Sequence, residues 1–145
     1  ALVFSNTQAD KFITFFWGIL DTRAHTLTYI NAGHNPPYLV HADGSFVPLS
    51  TGGLILGILD EIPPYDEETI AILPGDTIVT YTDGVNEALS KDMEEFGNPR
   101  LEALLERLVV GPPSALIQVV REKILEFTVG AKQSDDITML VVKRG

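Results

Sequence analysis

The side chains best suited to chemistry in this sequence are carboxylates, and two short segments set them where strands would end and begin. Asp83 follows the strand-forming run Thr77–Thr82 and precedes Gly84; Asp135 and Asp136 precede the run Ile137–Val142. A carboxylate at a strand end, followed by a glycine that lets the backbone turn away, can aim oxygens at a hard cation. If the two runs pair antiparallel, the end of one lies beside the start of the other, and cross-strand neighbours stand only about 5 Å apart. Like charges crowded in this way cost stability unless a cation sits among them. Donors that are all oxygen favour magnesium or manganese over zinc. The plainer alternative is that Asp83-Gly84 and Asp135-Asp136 serve turns, where such residues are favoured for their backbone tolerance.

Those carboxylates need a sheet to hold them. Pro74-Gly75-Asp76 is a turn that launches Thr77–Thr82. Upstream, Lys11–Leu20 is aromatic and β-branched and reads as a strand buried on both faces, with the lone tryptophan, Trp17, in the core. Asp21–Ala24 makes a turn and His25–Asn31 returns as a second strand. Ala32–Pro37 is a kinked connection, because neither Pro36 nor Pro37 can donate to a ladder. Tyr38–His41 and Ser45–Leu49 flank Asp43-Gly44, which suits a two-residue hairpin. Residues 50–66 are irregular, and Glu67–Leu73 is a strand expected to hairpin through Pro74-Gly75-Asp76 into Thr77–Thr82. A helical turn is expected over Val85–Leu89.

Two longer helices follow. Asn98 suits an N-cap with Pro99 at the first helical position, and Leu101, Leu104, Leu105 and Leu108 form one apolar stripe. A second helix runs from about Ser114 to Val129, with a stripe of Leu116, Ile117, Val120, Ile124 and Phe127 and a stop at Gly130. Ile137–Val142 closes the chain as a strand apolar on both faces. Strands, two helices and a last strand make an α+β arrangement, mostly antiparallel, with helices on an outer face.

Composition narrows the function classes. The 145 residues suffice for one domain, and 45% hydrophobic with 21% charged residues describes a globular chain. With no cysteine, disulfides, thiolate nucleophiles and zinc–sulfur sites are excluded. A net charge of −10 argues against wrapping nucleic acid, and no apolar run reaches the length of a membrane helix.

Other residues invite roles. His34 has the right chemistry for a general acid, though between Gly33 and Asn35-Pro36-Pro37 it reads as shaping the kinked connection. Gly52, Gly53 and Gly57 could form a backbone nest on the substrate side, or an ordinary loop. The apolar stretch Leu54–Leu59 could tuck under the sheet or touch a protein substrate. Glu87 could lie behind the ligands or face solvent. His25 and His41 read as turn and strand-end surface residues, and Asp92–Glu95 as a solvated face.

Seven short motifs occur in one order: Lys11–Gly18 (KFITFFWG), Asn31–Pro37 (NAGHNPP), Gly52-Gly53-Leu54 with Leu56-Gly57, Pro74-Gly75-Asp76, Tyr81–Val85 (YTDGV) with Glu87-Ala88, Phe96-Gly97, and Asp135–Thr138 (DDIT). The series resembles the SpoIIE/RsbU family of bacterial metal-dependent serine/threonine phosphatases, a branch of the type 2C superfamily. The resemblance implies an antiparallel β-sandwich flanked by helices, and two magnesium or manganese ions sharing a water that attacks phosphoserine or phosphothreonine. Carried over position by position, it makes Asp83 and Asp135 metal ligands and puts Asp136 at the non-ligating second position of its motif; Gly84, like Glu87, could lie behind the ligands. The resemblance also implies a cytoplasmic phosphoprotein substrate such as an anti-sigma-factor antagonist, and an upstream sensor or regulatory domain. A non-catalytic interaction module on the same fold is the rival reading. The family's upstream Asp-x-x-Gly-x-Gly segment has no counterpart before Lys11, since Asp10 lacks the glycines, and Ile55 replaces the usual proline of its loop. Residues 1–10 are therefore expected to be the end of a preceding helix or linker, and 11–145 the C-terminal part of the domain. Such a piece would bind one ion or none, turn over little, and present unpaired strand edges that favour a homodimer.

Overall fold

The computed structural model describes residues 12–58, 63–108, 111–131 and 135–145. Expectations for residues 1–11 and for Leu59 lie outside the described residues. In chain order the elements are β1 (Phe15–Asp21), β2 (Thr26–Ala32), β3 (Tyr38–Val40), β4 (Phe46–Pro48), β5 (Glu68–Ala71), β6 (Thr77–Tyr81), α1 (Asp83–Asn86), α2 (Gly97–Leu108), α3 (Pro113–Phe127) and β7 (Met139–Lys143). All strand pairs within the two sheets are antiparallel, in the orders β1-β2-β5 and β4-β3-β6-β7. The α+β class expected from the sequence is therefore present. Each sheet belongs to its own compact unit: one comprises the described residues up to Pro36 with Leu49–Ile72, the other Pro37–Pro48 with Leu73–Gly145.

In the first unit, Asp21 shapes the β1–β2 turn by accepting from the backbone N–H groups of Arg23 and Ala24, both at 2.8 Å, and His25 takes the left-handed conformation at φ 56°. Leu27 and Tyr29 point into the core and Phe16 stacks on Tyr29. Lys11–Leu20 was expected to be buried on both faces, and here the structure differs. β1 is an edge strand, and Trp17 keeps 47% of its surface in contact with solvent. An apolar run tells of affinity for a core but not of whether this unit supplies a layer to cover it.

The second unit has a continuous core. Val79 and Tyr81 of β6 and Tyr38 and Val40 of β3 meet Leu101 and Leu105 of α2 and Leu116, Val120 and Ile124 of α3. These helix residues fall on the predicted stripes, and Gly130, at φ 84°, follows α3. Helix α2 begins at Gly97, a residue ahead of the predicted cap, so Asn98 lies inside the first turn.

Three connections depart from expectation. β5 pairs with β2 and β6 with β3 and β7, so Pro74-Gly75-Asp76 joins two sheets instead of closing a hairpin. Its conformation is fixed by Asp76, buried, whose carboxylate accepts from the Leu73 N–H at 2.8 Å and meets His41 Nδ1 at 3.1 Å. His41 is thus a partner of a buried acid, not a plain surface residue. Between β3 and β4 lie residues 41–45, and the His41 N–H on the Ser45 carbonyl at 2.7 Å leaves Ala42–Gly44 as a three-residue tip. Gly44, at φ 90°, could not carry a Cβ, which would stand 2.9 Å from the Glu106 carbonyl oxygen. Finally β7 starts at Met139, later than Ile137, and is an edge strand whose Leu140 side is exposed.

Candidate functional site

β6 and β7 do pair, residue against residue from Thr77↔Lys143 to Tyr81↔Met139. Contact continues one step beyond the ladder through a single residue, Thr82. The Thr82 N–H donates to the Thr138 carbonyl at 3.1 Å, the Thr138 N–H donates to Thr82 Oγ1 at 3.0 Å, and Thr82 Oγ1 donates to the Asp136 carbonyl at 3.0 Å. Gly84, buried, lies against the same carbonyl: a Cβ there would stand 2.3 Å from the Asp136 oxygen, a distance no side chain can occupy. The backbone around Asp83 and the backbone that carries Asp135 therefore share one rim of the second unit's sheet.

Asp83 is the first residue of α1 and Asp135 lies just ahead of β7; both are exposed. Asp83 Oδ1 accepts from the Gly84 N–H at 3.0 Å, and Asp135 Oδ1 from the Asp136 N–H at 2.7 Å. Beneath the rim, burial raises the Tyr81 hydroxyl pKa, and burial followed by the hydrogen bond to Glu102 at 2.7 Å raises that of Tyr38. Their rings stack in parallel, centroids 5.8 Å apart, within the core of the second unit.

Two exposed carboxylates with only oxygen to offer suit magnesium or manganese. These ions accept one or two protein carboxylates and complete their shells with water and phosphate. Among the described residues, no group of three or more His, Cys, Asp or Glu side chains is placed to hold a metal ion. The donor set thus fits part of such a site.

The other sequence candidates fall elsewhere. Glu87 is exposed beyond α1, its N–H bonded to the Asp83 carbonyl at 2.8 Å. His34 and the glycine loop belong to the first unit. There Asn31 is buried and spans the kink: its Nδ2 donates to the carbonyls of His34 at 3.0 Å and Leu49 at 3.1 Å, and its Oδ1 accepts from the His34 N–H at 2.8 Å. Gly52 permits a backbone-to-backbone approach, since its Cβ would lie 1.9 Å from the Asn31 carbonyl oxygen. The Gly53 N–H donates to that same oxygen at 3.0 Å, and Gly57 takes φ 99°. Leu54 and Ile58 are exposed. Sequence reasoning passed over Thr82 and Asn31. Thr82 stands directly before Asp83, but threonine is so common in strands that nothing marked its hydroxyl out.

The family model for Stage II sporulation protein E (SpoIIE) matches residues 1–145. Protein IcfG of Synechocystis sp. is 32% identical over 135 residues, which cover 92% of this chain and 21% of that protein. Phosphoserine phosphatase RsbU of Bacillus subtilis is 29% identical over 144 residues, 99% of this chain and 42% of that protein. Among solved structures, the SiaA-PP2C domain of Pseudomonas aeruginosa superposes with a TM-score of 0.80 at 21% identity, over 93% of this chain and 53% of that one. The chain thus spans between about a fifth and about half the length of these relatives. The structural likeness shows a type 2C phosphatase fold. With the family model matched along its whole length, the chain belongs to the SpoIIE family.

Proposed function

We propose that this chain is the C-terminal, ligand-bearing portion of a metal-dependent phosphatase domain that removes phosphate from serine or threonine of a bacterial cytoplasmic signalling protein. One observation supports it most: the β6–β7 register and the Thr82 contacts bring the Asp83 and Asp135 segments to one exposed rim. Asp83 and Asp135 would hold a magnesium or manganese ion there, and Gly84 leaves room for the backbone to approach. Such ions, when bound, acidify water and neutralise the phosphoryl oxygens of an in-line displacement. The chain's own part is to hold carboxylates at fixed spacing on a rigid strand end and to leave that end open to a protein substrate. The likeness to a phosphoserine phosphatase supports phosphoserine as the substrate group. An anti-sigma-factor antagonist is the substrate we infer, with a sensor or regulatory domain upstream.

A second reading, a non-catalytic interaction module, is favoured by the lack of a third carboxylate or histidine at the rim among the described residues. Manganese titration and turnover of a phosphoserine protein, measured on the full-length protein and on Asp83→Asn and Asp135→Asn, separate the two. Loss of turnover by about a hundredfold or more, with weakened manganese binding in both variants, is expected of the phosphatase. Equal binding in all three proteins overturns the metal centre.

A further inference from the structure

We propose that Thr82 is a positioning residue whose hydroxyl clamps the Asp135-bearing strand end against the Asp83-bearing one and so sets the spacing of the two carboxylates. The inference rests on the metal-site reading and adds a residue to it.

The geometry is two-sided. Hydroxyl oxygen has one hydrogen to donate and lone pairs to accept with. Thr82 Oγ1 uses both capacities on the facing strand, donating to the Asp136 carbonyl and accepting from the Thr138 N–H, each at 3.0 Å. Its backbone N–H adds a third bond to the Thr138 carbonyl at 3.1 Å. The regular ladder has ended by then, because its last pair is Tyr81↔Met139. Without the hydroxyl, the Asp136 carbonyl and the Thr138 N–H would both lose this partner just where the chain leaves the sheet, and only the Thr82 N–H bond to the Thr138 carbonyl would remain at this step. Gly84 lies against the same carbonyl, where a Cβ would be 2.3 Å away. The carbonyl of Asp136 therefore accepts from a hydroxyl and lies against a bare α-carbon. This gives the residue after Asp135 a structural task performed by its backbone.

β-branching also fits. A threonine at a strand end has restricted χ1, so its hydroxyl is already aimed at the neighbouring strand. The neighbours of metal ligands commonly tune affinity by 10–100-fold, roughly, through such orientation.

The test is made on the full-length protein. Thr82→Val keeps the shape and removes the hydroxyl; Thr82→Ser keeps the hydroxyl. Manganese affinity by calorimetry is expected to fall about tenfold in Thr82→Val and to stay within about twofold of the parent in Thr82→Ser. Thermal midpoints in EDTA should show far less separation between the variants than the affinities do, which a merely structural threonine would not produce. In the metal-free protein, hydrogen exchange at the Thr138 amide should quicken in Thr82→Val only. Unchanged manganese affinity in Thr82→Val, or failure of Thr82→Ser to restore it, overturns the clamp. Should Thr82→Val not fold, Thr82→Ala removes the same hydroxyl with less bulk and is judged by the same outcomes. Asp83→Asn serves as the control: if it too leaves manganese affinity unchanged, the metal-site reading has failed and the clamp falls with it. If it abolishes binding while Thr82→Val does not, only the clamp has failed.

Discussion

The two units hold together by different means. In the unit built on β4-β3-β6-β7, strands and both long helices close over one apolar core, and β6 at its centre buries four of its five residues. In the unit built on β1-β2-β5, the edge strand leaves Trp17, Ile19 and Leu20 largely exposed. Order there comes from polar pins. Asn31 spans the kink with three hydrogen bonds, and the Glu68 carboxylate accepts from both Tyr29 and Thr51 at 2.5 Å. Apolar burial is non-directional and sums over area, whereas a buried polar contact is directional and costly to leave half-made. The carboxylates proposed for metal ride on the unit with the larger core, which is where a fixed spacing is easiest to maintain.

Three substitutions would break or sharpen this contrast. The largest effect is expected from Leu105→Ala, which opens a hole in the fully buried core of the second unit. Urea unfolding of the full-length protein should report a loss of about 2–5 kcal/mol. Asn31→Ala should cost less, about 1–3 kcal/mol, because it strands buried backbone groups without emptying a core. Amide exchange should localise the damage around His34 and Leu49; damage spread through α2 and α3 would contradict the contrast. Smallest is a pH effect. Hydrogen bonds from Thr51 first and Tyr29 second lower the Glu68 pKa from 4.5. A carboxyl whose folded pKa is depressed adds stability above its unfolded pKa and loses it as pH falls through the folded one. Glu68→Gln should therefore be less stable than the parent at neutral pH, and the gap should close on acidification. A gap that widens in acid would show that Glu68 is not the pin.

What could be read from the sequence followed the same division. The leucine stripe of α2 and the stripe of α3 were legible because a helix facing one core repeats every three to four residues. The meeting of the Asp83 and Asp135 segments was legible too, since both sit at the ends of strong β runs. The exposure of β1 was not, because its composition is that of an inner strand. The partner of β5 was misread for a similar reason: a Pro-Gly-Asp turn between two strands looks like a hairpin, and only the long-range register with β2 shows otherwise. The polar pins at Asn31 and Thr82 were invisible in kind. They depend on which carbonyl happens to lie opposite, and no local pattern encodes that.

The pairing of β6 with β7 joins residues distant in sequence, such as Thr80 and Leu140 at a separation of 60. Such contacts pay loop-closure entropy before they return any energy, and they form late. The chain through α3 supplies most of the core around Val79 and Tyr81 without residues 135–143. The acidic rim is thus among the last features to mature, and a polypeptide that stalls before β7 would carry most of a core but no paired aspartates.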